Sequence, residues 1–249
     1  MKTISTFIFV HKQEIILDYK RIKKFDSLPN VKYVLVGQND FNKVENKEDV
    51  IVCQKFNDNI ENYPKLTSYT GWYILWKYGL IQSDYVNLFE YDINYRTNIT
   101  SIFEKIKNSE LEFVGYLPMS IKEPCYLIDR RWTDLMIKSI KNNYNQDMDI
   151  FFSKMIKDNP FSTWSSTSNS TFRKDFFEKY MNWFEKIFED IKDSDYPGHA
   201  HERSLSFFYF LERAKVAIFP NFVEHFQLNS HNTSPLSEDR FDKIYKQLI

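Results

Sequence analysis

The sequence predicts an α/β fold, in which a mixed sheet is flanked by helices and followed by a mainly helical C-terminal region. In the first half, short β-rich runs alternate with stretches of helical periodicity, which is typical of sheets built from strand, helix and strand units. In the second half, apolar residues recur mainly at helical spacing. Neither a repeat period nor a low-complexity linker separates the halves. We therefore expect a single domain over residues 1–249.

The N-terminal segment contains the first strand, helix and strand unit. Strands are predicted at Thr3–Val10 and Val31–Gly37, and a short third strand is predicted at Val50–Cys53. Between the first two strands, apolar residues recur at helical spacing, namely Ile15, Ile16, Tyr19 and Ile22. A connection that contains a helix is typical of parallel strands. The sequence therefore indicates a parallel βαβ unit.

A well-marked helix then leads into a further strand. The helix is predicted over Pro64–Tyr78, because Pro64 suits a first helical turn and Gly79 suits a C-terminal cap. One face of this helix is apolar, with Leu66, Tyr69, Tyr73 and Trp76. The following elements are a strand at Asp84–Phe89, a helix at Thr100–Lys107 and a strand at Leu111–Tyr116.

Helices dominate the predicted second half. They are expected at Trp132–Asn143, Asp147–Lys157, Arg173–Asp193 and His201–Arg213, and a strand is expected at Val216–Phe219. In the third helix, aromatic residues recur every three or four positions, at Phe176, Phe177, Tyr180, Phe184 and Phe188. This spacing predicts a helix that buries an aromatic face in the core.

Composition excludes several classes of function. The 249 residues carry 33 Lys and Arg against 34 Asp and Glu, a net charge of −1, so there is no basic field for nucleic acid. The five glycines lie too far apart for a Gly-x-Gly-x-x-Gly turn or a phosphate loop. The two cysteines, Cys53 and Cys125, form neither a metal motif nor a disulfide framework. These features favour a protein of a reducing compartment that does not bind nucleic acid.

The location of the protein follows from its apolar runs. The N-terminal run Ile4–Val10 is too short for a signal peptide, and no later run approaches the roughly 18 apolar residues of a membrane span. We expect a cytoplasmic protein, in a bacterium or in the host cell of a virus. The sequence leaves its oligomeric state open.

An acidic triplet, Glu90-Tyr91-Asp92, follows the predicted strand Asp84–Phe89 directly. Open α/β sheets bind their ligands at the carboxyl ends of strands. Side chains at positions i and i+2 of an extended segment face the same way, so Glu90 and Asp92 can converge on one divalent cation. Carboxylate oxygens suit Mg²⁺ or Mn²⁺. A solvated turn is the alternative for such a triplet.

Several segments carry a resemblance to a known family. The helix Ser68–Lys77, followed by Asp84-Tyr85-Val86 and the acidic triplet, resembles the GT-A class of nucleotide-sugar glycosyltransferases, in which a helix precedes the strand that ends in an Asp-x-Asp motif. Within that class the chain is most similar to the small glycosyltransferase-like family of capsular and exopolysaccharide gene clusters and some large viruses. Further similar segments are Val10-His11-Lys12, Ser168–Phe172 and Glu202–Phe208.

The resemblance implies a donor site in residues 1–120 and a mainly helical acceptor side in residues 121–249. The donor would be a nucleotide-diphospho-sugar, and Glu90 and Asp92 would hold the Mn²⁺ or Mg²⁺ that stabilises its diphosphate. The base and ribose would lie against the ends of the first strands and the neighbouring helix, at Phe9, Val10, His11, Gly37, Ser68, Thr70 and Tyr91. Ordinary sheet core is the alternative for Phe9 and Val10.

A second titratable cluster, His199-Ala200-His201-Glu202-Arg203, opens the last predicted helix. An inverting transferase needs a carboxylate that takes the proton of the acceptor hydroxyl, and Glu202 is the first candidate for this base. The other predicted catalytic residue is Asp92, through the cation that it would hold. His201 or His199 would complete the metal shell. The alternative is a plain helix N-terminus, in which Glu202 interacts with the helix dipole.

A hydroxyl-rich segment around one Trp, residues 161–171, is the predicted acceptor surface. Trp164 can stack on the apolar face of a sugar, while Ser166 and Asn169 hydrogen-bond its hydroxyls. A flexible linker is the alternative. Arg130 or Arg131 could pair with a phosphate, although surface salt bridges are the commoner role for such residues.

These observations together predict a metal-assisted glycosyltransferase that moves a sugar from a nucleotide-diphosphate donor to a glycan or another hydroxyl acceptor. A non-catalytic carbohydrate-binding or scaffold protein with the same fold is the second hypothesis. A metal-dependent phosphoesterase is a third, and it would need a denser set of His and Asp than five scattered histidines provide.

Overall fold

The centre of the structure, a computed structural model, is a seven-stranded sheet. Described are residues 2–37, 40–95, 99–116, 118–120, 130–148, 163–165, 168–195, 197–219 and 223–225. The strands in these ranges are β1 (Ile4–Val10), β2 (Val31–Leu35), β3 (Val50–Val52), β4 (Tyr85–Glu90), β5 (Ile93–Tyr95), β6 (Phe113–Gly115), β7 (Pro118–Ser120), β8 (Thr163–Ser165), β9 (Ser170–Arg173), β10 (Val216–Ile218) and β11 (Val223–His225).

The strand order in the large sheet is β10, β6, β9, β4, β1, β2, β3. Strand β4 lies in the middle, and its neighbour β1 pairs in parallel with β4 on one side and β2 on the other. Strand β9 is antiparallel to both of its neighbours, β4 and β6. Two small sheets pair β5 with β11 and β7 with β8. The predicted mixed α/β sheet and its parallel βαβ unit are therefore confirmed.

Strand β9 was not expected from the sequence, because its segment reads as a polar loop. The strand is buried between β4 and β6, and hydrogen bonds across neighbouring strands satisfy the hydroxyl group of Thr171. Thr171 Oγ1 donates to Asn87 Oδ1 at 2.6 Å and lies 2.6 Å from the Tyr116 hydroxyl, while Asn87 Nδ2 donates to Thr6 Oγ1 at 3.0 Å. Buried polar groups are tolerated when they are paired in this way. Hydrophobic periodicity gives no signal for such a strand.

Helices cover both faces of the sheet. They are α1 (Gln13–Leu17), α2 (Tyr19–Ile22), α3 (Tyr69–Lys77), α4 (Ile99–Lys107), α5 (Arg130–Tyr144), α6 (Lys174–Ile191) and α7 (Pro197–Leu211). The predicted helical C-terminal region is confirmed in α5, α6 and α7, and the aromatic stripe of α6 is buried in the core as expected. Nearly all of the helix predicted at Asp147–Lys157 lies outside the described residues. Over the described ranges, no helix has the length and apolarity that crossing a bilayer requires.

Two predicted helices are interrupted. The predicted helix Pro64–Tyr78 divides into a 3₁₀ turn, Pro64–Leu66, and α3, because Thr67 has a φ of 52°. A positive φ is incompatible with a right-handed helix. The helix between β1 and β2 divides at Asp18, whose φ of −91° and ψ of 93° are extended. Its side chain then accepts a hydrogen bond from the Lys20 amide as the N-cap of α2.

Two hydrophobic clusters fill the space between the sheet and the helices. In β1, Phe7 and Phe9 belong to the cluster beneath α3, α6 and α7, whereas Ile8 and Val10 belong to the cluster beneath α1 and α4. Successive side chains of a strand point to opposite faces, which explains this division. Both faces of the central strands are therefore covered by apolar clusters, and a ligand would have to approach them at the strand ends.

Candidate functional site

An open cleft of about 480 Å³ lies at the carboxyl ends of β1, β2 and β4. The predicted donor and metal residues that line it are Phe9, His11, Gly37, Ser68, Thr70, Glu90, Tyr91 and Asp92. They meet because parallel neighbouring strands end at the same edge of the sheet. The N-terminal part of α3 and the turn before it close the other side. We call this space the strand-end cleft.

One predicted donor residue, Val10, does not line the strand-end cleft. Its side chain is fully buried in the cluster beneath α1 and α4, on the opposite face of β1 from Phe9. The alternation of side chains along the strand sends Phe9 toward the cleft and Val10 away from it. Val10 is therefore a core residue, and the prediction that places it against the base is corrected.

Glu90 is held in place by a buried asparagine. The Glu90 amide donates to Asn169 Oδ1 at 2.8 Å, and Asn169 Nδ2 lies 3.4 Å from Glu90 Oε2. The Ser68 hydroxyl lies 3.5 Å from Glu90 Oε1. Asn169 is 0% exposed, so it cannot meet the hydroxyls of an acceptor sugar. The acceptor assignment of Asn169 is corrected: it orients the first carboxylate of the acidic triplet.

Tyr91 and His11 form one rim of the strand-end cleft. The Tyr91 hydroxyl lies 3.5 Å from His11 Nε2, and the two rings meet edge to face with centroids 5.0 Å apart. Burial and then the charge of Lys12 lower the pKa of His11, while Asp92 and Glu90 oppose the shift. The imidazole is therefore mostly neutral at pH 7 and can donate one hydrogen bond to a ligand.

A second cleft, of about 340 Å³, adjoins the first. It is lined by Lys65, Thr67, Glu90, Asp195, Gly198, His199 and Glu202. Thr67 and Glu90 line both clefts. We call this second space the helix-end cleft, because the N-terminal turn of α7 supplies Gly198, His199 and Glu202. The predicted base therefore lies in a space that Glu90 also borders.

The first turn of α7 orients Glu202. Its Oε2 accepts a hydrogen bond from Arg203 Nη1 at 2.8 Å and lies 3.6 Å from His199 Nδ1. This turn packs against the Pro64–Leu66 turn so closely that a Cβ on Gly198 would lie 2.8 Å from the Lys65 carbonyl oxygen. Glycine at this position permits the approach that forms the wall of the helix-end cleft.

His201 is not directed toward Glu90 and Asp92. It is 1% exposed, and its ring centroid lies 4.5 Å from that of Tyr69 and 4.8 Å from that of Trp72. Residues 199 and 202 share one helix face at a spacing of three, and residue 201 therefore points elsewhere, into the core. The assignment of His201 to a metal shell is corrected, and it is a packing residue.

The burial of His201 predicts a dependence of stability on pH. Burial lowers the pKa of His201 from 6.5 to about 3. The unfolded chain therefore binds one more proton between these two values, so stability falls as the pH drops below 6.5. From pH 7 to pH 5 the loss from this group is about 2 kcal/mol. Urea unfolding at both pH values should show this loss in the wild type and a smaller one in His201→Phe. Equal losses in the two proteins would contradict the assignment.

Of the predicted metal ligands, Glu90 and Asp92 are the two that line the strand-end cleft. Among the described residues, no group of three or more His, Cys, Asp or Glu is arranged to hold a metal ion. Two carboxylates fit Mg²⁺ or Mn²⁺ of the kind that takes its remaining ligands from water and substrate phosphates. The donor set therefore suits a cation that arrives with a diphosphate.

The structure describes only the backbone position of one of the two other predicted acceptor residues, Trp164 and Ser166. Trp164 lies on β8, which pairs with β7 in a small sheet. Ser166 lies outside the described residues. Arg130 and Arg131 open α5. The acceptor surface predicted around residue 164 thus stays a prediction.

Several residues of the site give no signal in the sequence. Val36, Pro64, Lys65, Thr67 and Asp195 also line the two clefts, and no motif in the sequence marks them as site residues. Glu61 is buried beside two cleft-lining residues, Gly37 and Thr70. Burial raises the pKa of Glu61, while the Thr70 hydroxyl, the Gly37 amide and the Cys53 thiol oppose the rise. A carboxyl group behind the cleft wall is visible only in three dimensions.

Comparison with known proteins connects this geometry to a fold. No protein-family model and no curated protein matches the sequence. Among solved structures, the chain is similar to the apo structure of the bifunctional glycosyltransferase WbbM, with a TM-score of 0.59, 17% identity, and coverage of 90% of this chain and 45% of that one. The galactosyltransferase LgtC in complex with donor and acceptor sugar analogs matches with a TM-score of 0.43 and 10% identity, over 97% of this chain and 95% of that one. Mouse xyloside xylosyltransferase 1, in its apo form, matches with a TM-score of 0.46 and 11% identity, over 96% of this chain and 94% of that one.

The WbbM match carries the conclusion about the fold. The protein spans less than half of the WbbM chain, and nine tenths of its own length aligns there. Its mixed sheet with flanking helices agrees with the α/β architecture that the sequence predicts. The protein therefore has the GT-A fold of nucleotide-sugar glycosyltransferases.

Proposed function

We propose that the protein transfers a sugar from a nucleotide-diphospho-sugar to a hydroxyl of a glycan or similar acceptor. The observation that carries the proposal is the position of Glu90, which lines both the strand-end cleft and the helix-end cleft. In a transferase the donor diphosphate and the acceptor hydroxyl must approach each other. A carboxylate at the border of two adjoining clefts is suited to such a meeting point.

The donor would occupy the strand-end cleft. Phe9 and Gly37 line this cleft from β1 and from the end of β2, and Ser68 and Thr70 offer hydroxyl groups from the start of α3. Glu90 and Asp92 would hold Mn²⁺ or Mg²⁺, whose charge would stabilise the diphosphate as it leaves. His11 would donate a hydrogen bond from its neutral imidazole. Residues 1–120 would thus supply most of the donor side.

The acceptor would occupy the helix-end cleft, where Glu202 is the proposed general base. Its carboxylate is oriented by Arg203 and accessible from the cleft. In an inverting reaction, Glu202 would take the proton from the acceptor hydroxyl as that oxygen bonds to the sugar carbon and the donor diphosphate departs. Lys65 and His199 could position other acceptor groups. Residues 121–249 supply α7, and the first half of the chain also contributes Lys65 and Thr67.

The resemblance to the capsular and exopolysaccharide family supports a role in polysaccharide biosynthesis in the cytoplasm. A cytoplasmic enzyme of polysaccharide biosynthesis would use the nucleotide-sugars that the cytosol supplies. The charge balance agrees with a carbohydrate acceptor rather than a nucleic acid, because 33 basic and 34 acidic residues leave no basic surplus.

Binding and transfer assays test the proposal. Titration calorimetry with UDP-, GDP- and TDP-sugars, each with Mn²⁺ or with a chelator, is expected to show binding of at least one donor that weakens when the cation is removed. Glu202→Gln should keep donor affinity within about twofold and reduce kcat by about a hundredfold or more, because a general base contributes about that much. Absence of binding to all three donors by a folded protein would refute the proposal. Glycan binding without transfer would support the non-catalytic alternative.

A further inference from the structure

Lys24 connects the acidic triplet to a different part of the fold. It belongs to the short 3₁₀ turn Lys23–Phe25, which precedes β2. Its ammonium group donates to the Tyr91 carbonyl at 2.7 Å and to the Ile93 carbonyl at 2.6 Å. These are the residues immediately before and after Asp92. One side chain therefore holds the backbone on both sides of the second carboxylate.

The surroundings of Lys24 stabilise its ammonium group in this partly buried position. Burial lowers the pKa of Lys24 to about 8, and the negative charge of Asp92 opposes the fall. The ammonium also lies 4.9 Å from the centroid of the Phe25 ring. Removing an ammonium group from water is costly, and the two carbonyls, the ring and the nearby carboxylate offset that cost. Lys23, its neighbour in the same turn, is exposed, whereas Lys24 is partly buried.

The acidic triplet lies at a turn that has few restraints of its own. Two carboxylates beside one cleft repel each other before a cation arrives, and the chain at Tyr91 and Asp92 is a turn between β4 and β5. The Tyr91 amide is held by the Phe9 carbonyl at 3.2 Å, and Asn169 fixes Glu90. Lys24 supplies the corresponding restraint at the Asp92 end of the turn.

We infer that Lys24 is a positioning residue, which fixes the backbone around Asp92 so that Glu90 and Asp92 both face the strand-end cleft. Lys24 lines neither cleft, so it acts through the turn and does not touch the substrate. The consequence for donor binding rests on the proposed function. The restraint of the turn does not, because it is a property of the protein alone.

Lys24→Met removes the ammonium and keeps most of the apolar stem, and Lys24→Arg keeps the charge and the donors. Lys23→Met is the matched control in the same turn. Hydrogen exchange of the ligand-free protein is expected to accelerate at least about tenfold at the Tyr91 amide in Lys24→Met, and to change less than about twofold in Lys23→Met. If Lys24→Met does not fold, Lys24→Gln replaces it, since its shorter amide cannot reach both carbonyls. Unchanged exchange in the folded variant would overturn the inference.

Titration of UDP, GDP and TDP in the presence of Mn²⁺ is the second arm. Positioning groups of metal ligands typically contribute about 10–100-fold in affinity. Lys24→Met should lose about that factor for whichever nucleotide the wild type binds, and Lys24→Arg should recover at least half of the logarithmic loss. Acceptor KM should not change. Equal affinity in Lys24→Met and wild type would overturn the inference. If the wild type binds none of the three, the proposed function fails and the exchange measurement alone decides the role of Lys24.

Discussion

Replacing Asp92 by Asn is expected to weaken Mn²⁺-dependent nucleotide binding by at least about a hundredfold, about 2.7 kcal/mol. The substitution preserves shape and removes one of the two carboxylates that line the strand-end cleft. A neutral amide oxygen is a poorer ligand for a hard cation, and the remaining ligand, Glu90, then has to hold the cation with the diphosphate alone. The measurement is titration calorimetry with the donor that the wild type binds, at saturating Mn²⁺.

The matched control for Asp92 is Asp84→Asn, at the opposite end of the same strand. Asp84 Oδ2 accepts hydrogen bonds from the Thr3 amide at 2.7 Å and the Thr3 hydroxyl at 3.0 Å, far from the cleft. Its loss should lower stability slightly and leave nucleotide affinity within about twofold, because exposed hydrogen bonds contribute little to folding. Equal affinities in Asp92→Asn and wild type would show that Asp92 does not take part in donor binding.

Gly71→Ala is expected to lower both stability and donor affinity. A Cβ at position 71 of α3 would lie 2.6 and 2.7 Å from two ring carbons of Phe9 and 2.9 Å from Val36 Cγ1. Phe9 and Val36 both line the strand-end cleft, so relief of this overlap has to displace the cleft wall. Overpacking of a core usually costs about 1–3 kcal/mol, which exceeds the gain of about 1 kcal/mol in helix propensity. We expect a Tm decrease of several degrees and about tenfold weaker nucleotide binding.

Gly79→Ala is the control that separates backbone strain from the overlap of a new Cβ with the cleft wall. Gly79 follows α3 with a φ of 59°, and no atom of the described residues would lie within 4 Å of a Cβ at this position. Alanine there strains the backbone, at a cost of about 1 kcal/mol, without touching the cleft. Its donor affinity should equal that of the wild type. If Gly71→Ala melted at the wild-type temperature and bound nucleotide equally well, the close packing of α3 on Phe9 would play no part in forming the cleft.

The parallel core of the sheet was predictable because local patterns determine it. The β-rich run at β1, the helical spacing after it and the second run at β2 are contiguous, and their pairing follows from the length of the connection. The acidic triplet at the end of β4 was also predictable, since the carboxyl ends of parallel strands meet at one edge. Most of the donor residues inferred from the resemblance lie there together.

The polar centre of the sheet was not predictable from local patterns. Ser170 and Thr171 are typical of a loop, and the burial of the Thr171 hydroxyl in β9 depends on hydrogen bonds with Asn87 and Tyr116, which are distant in sequence. Asn169 belongs to the same segment, so its contact with Glu90 was unpredictable for the same reason. A polar strand is stable only when its partners are already placed around it.

Residue spacing along continuous segments is enough to predict the α/β class, the parallel strands and the edge at which Glu90 and Asp92 lie. Which of the candidate side chains face that edge depends instead on the packing of the folded chain. Packing decided which faces of β1 and α7 are covered, so that Val10 and His201 lie in the core, and it placed Asn169 behind Glu90 and brought Lys24 to the turn around Asp92. The reason is physical: the direction of a side chain depends on what packs against its element, and those neighbours come from remote parts of the chain.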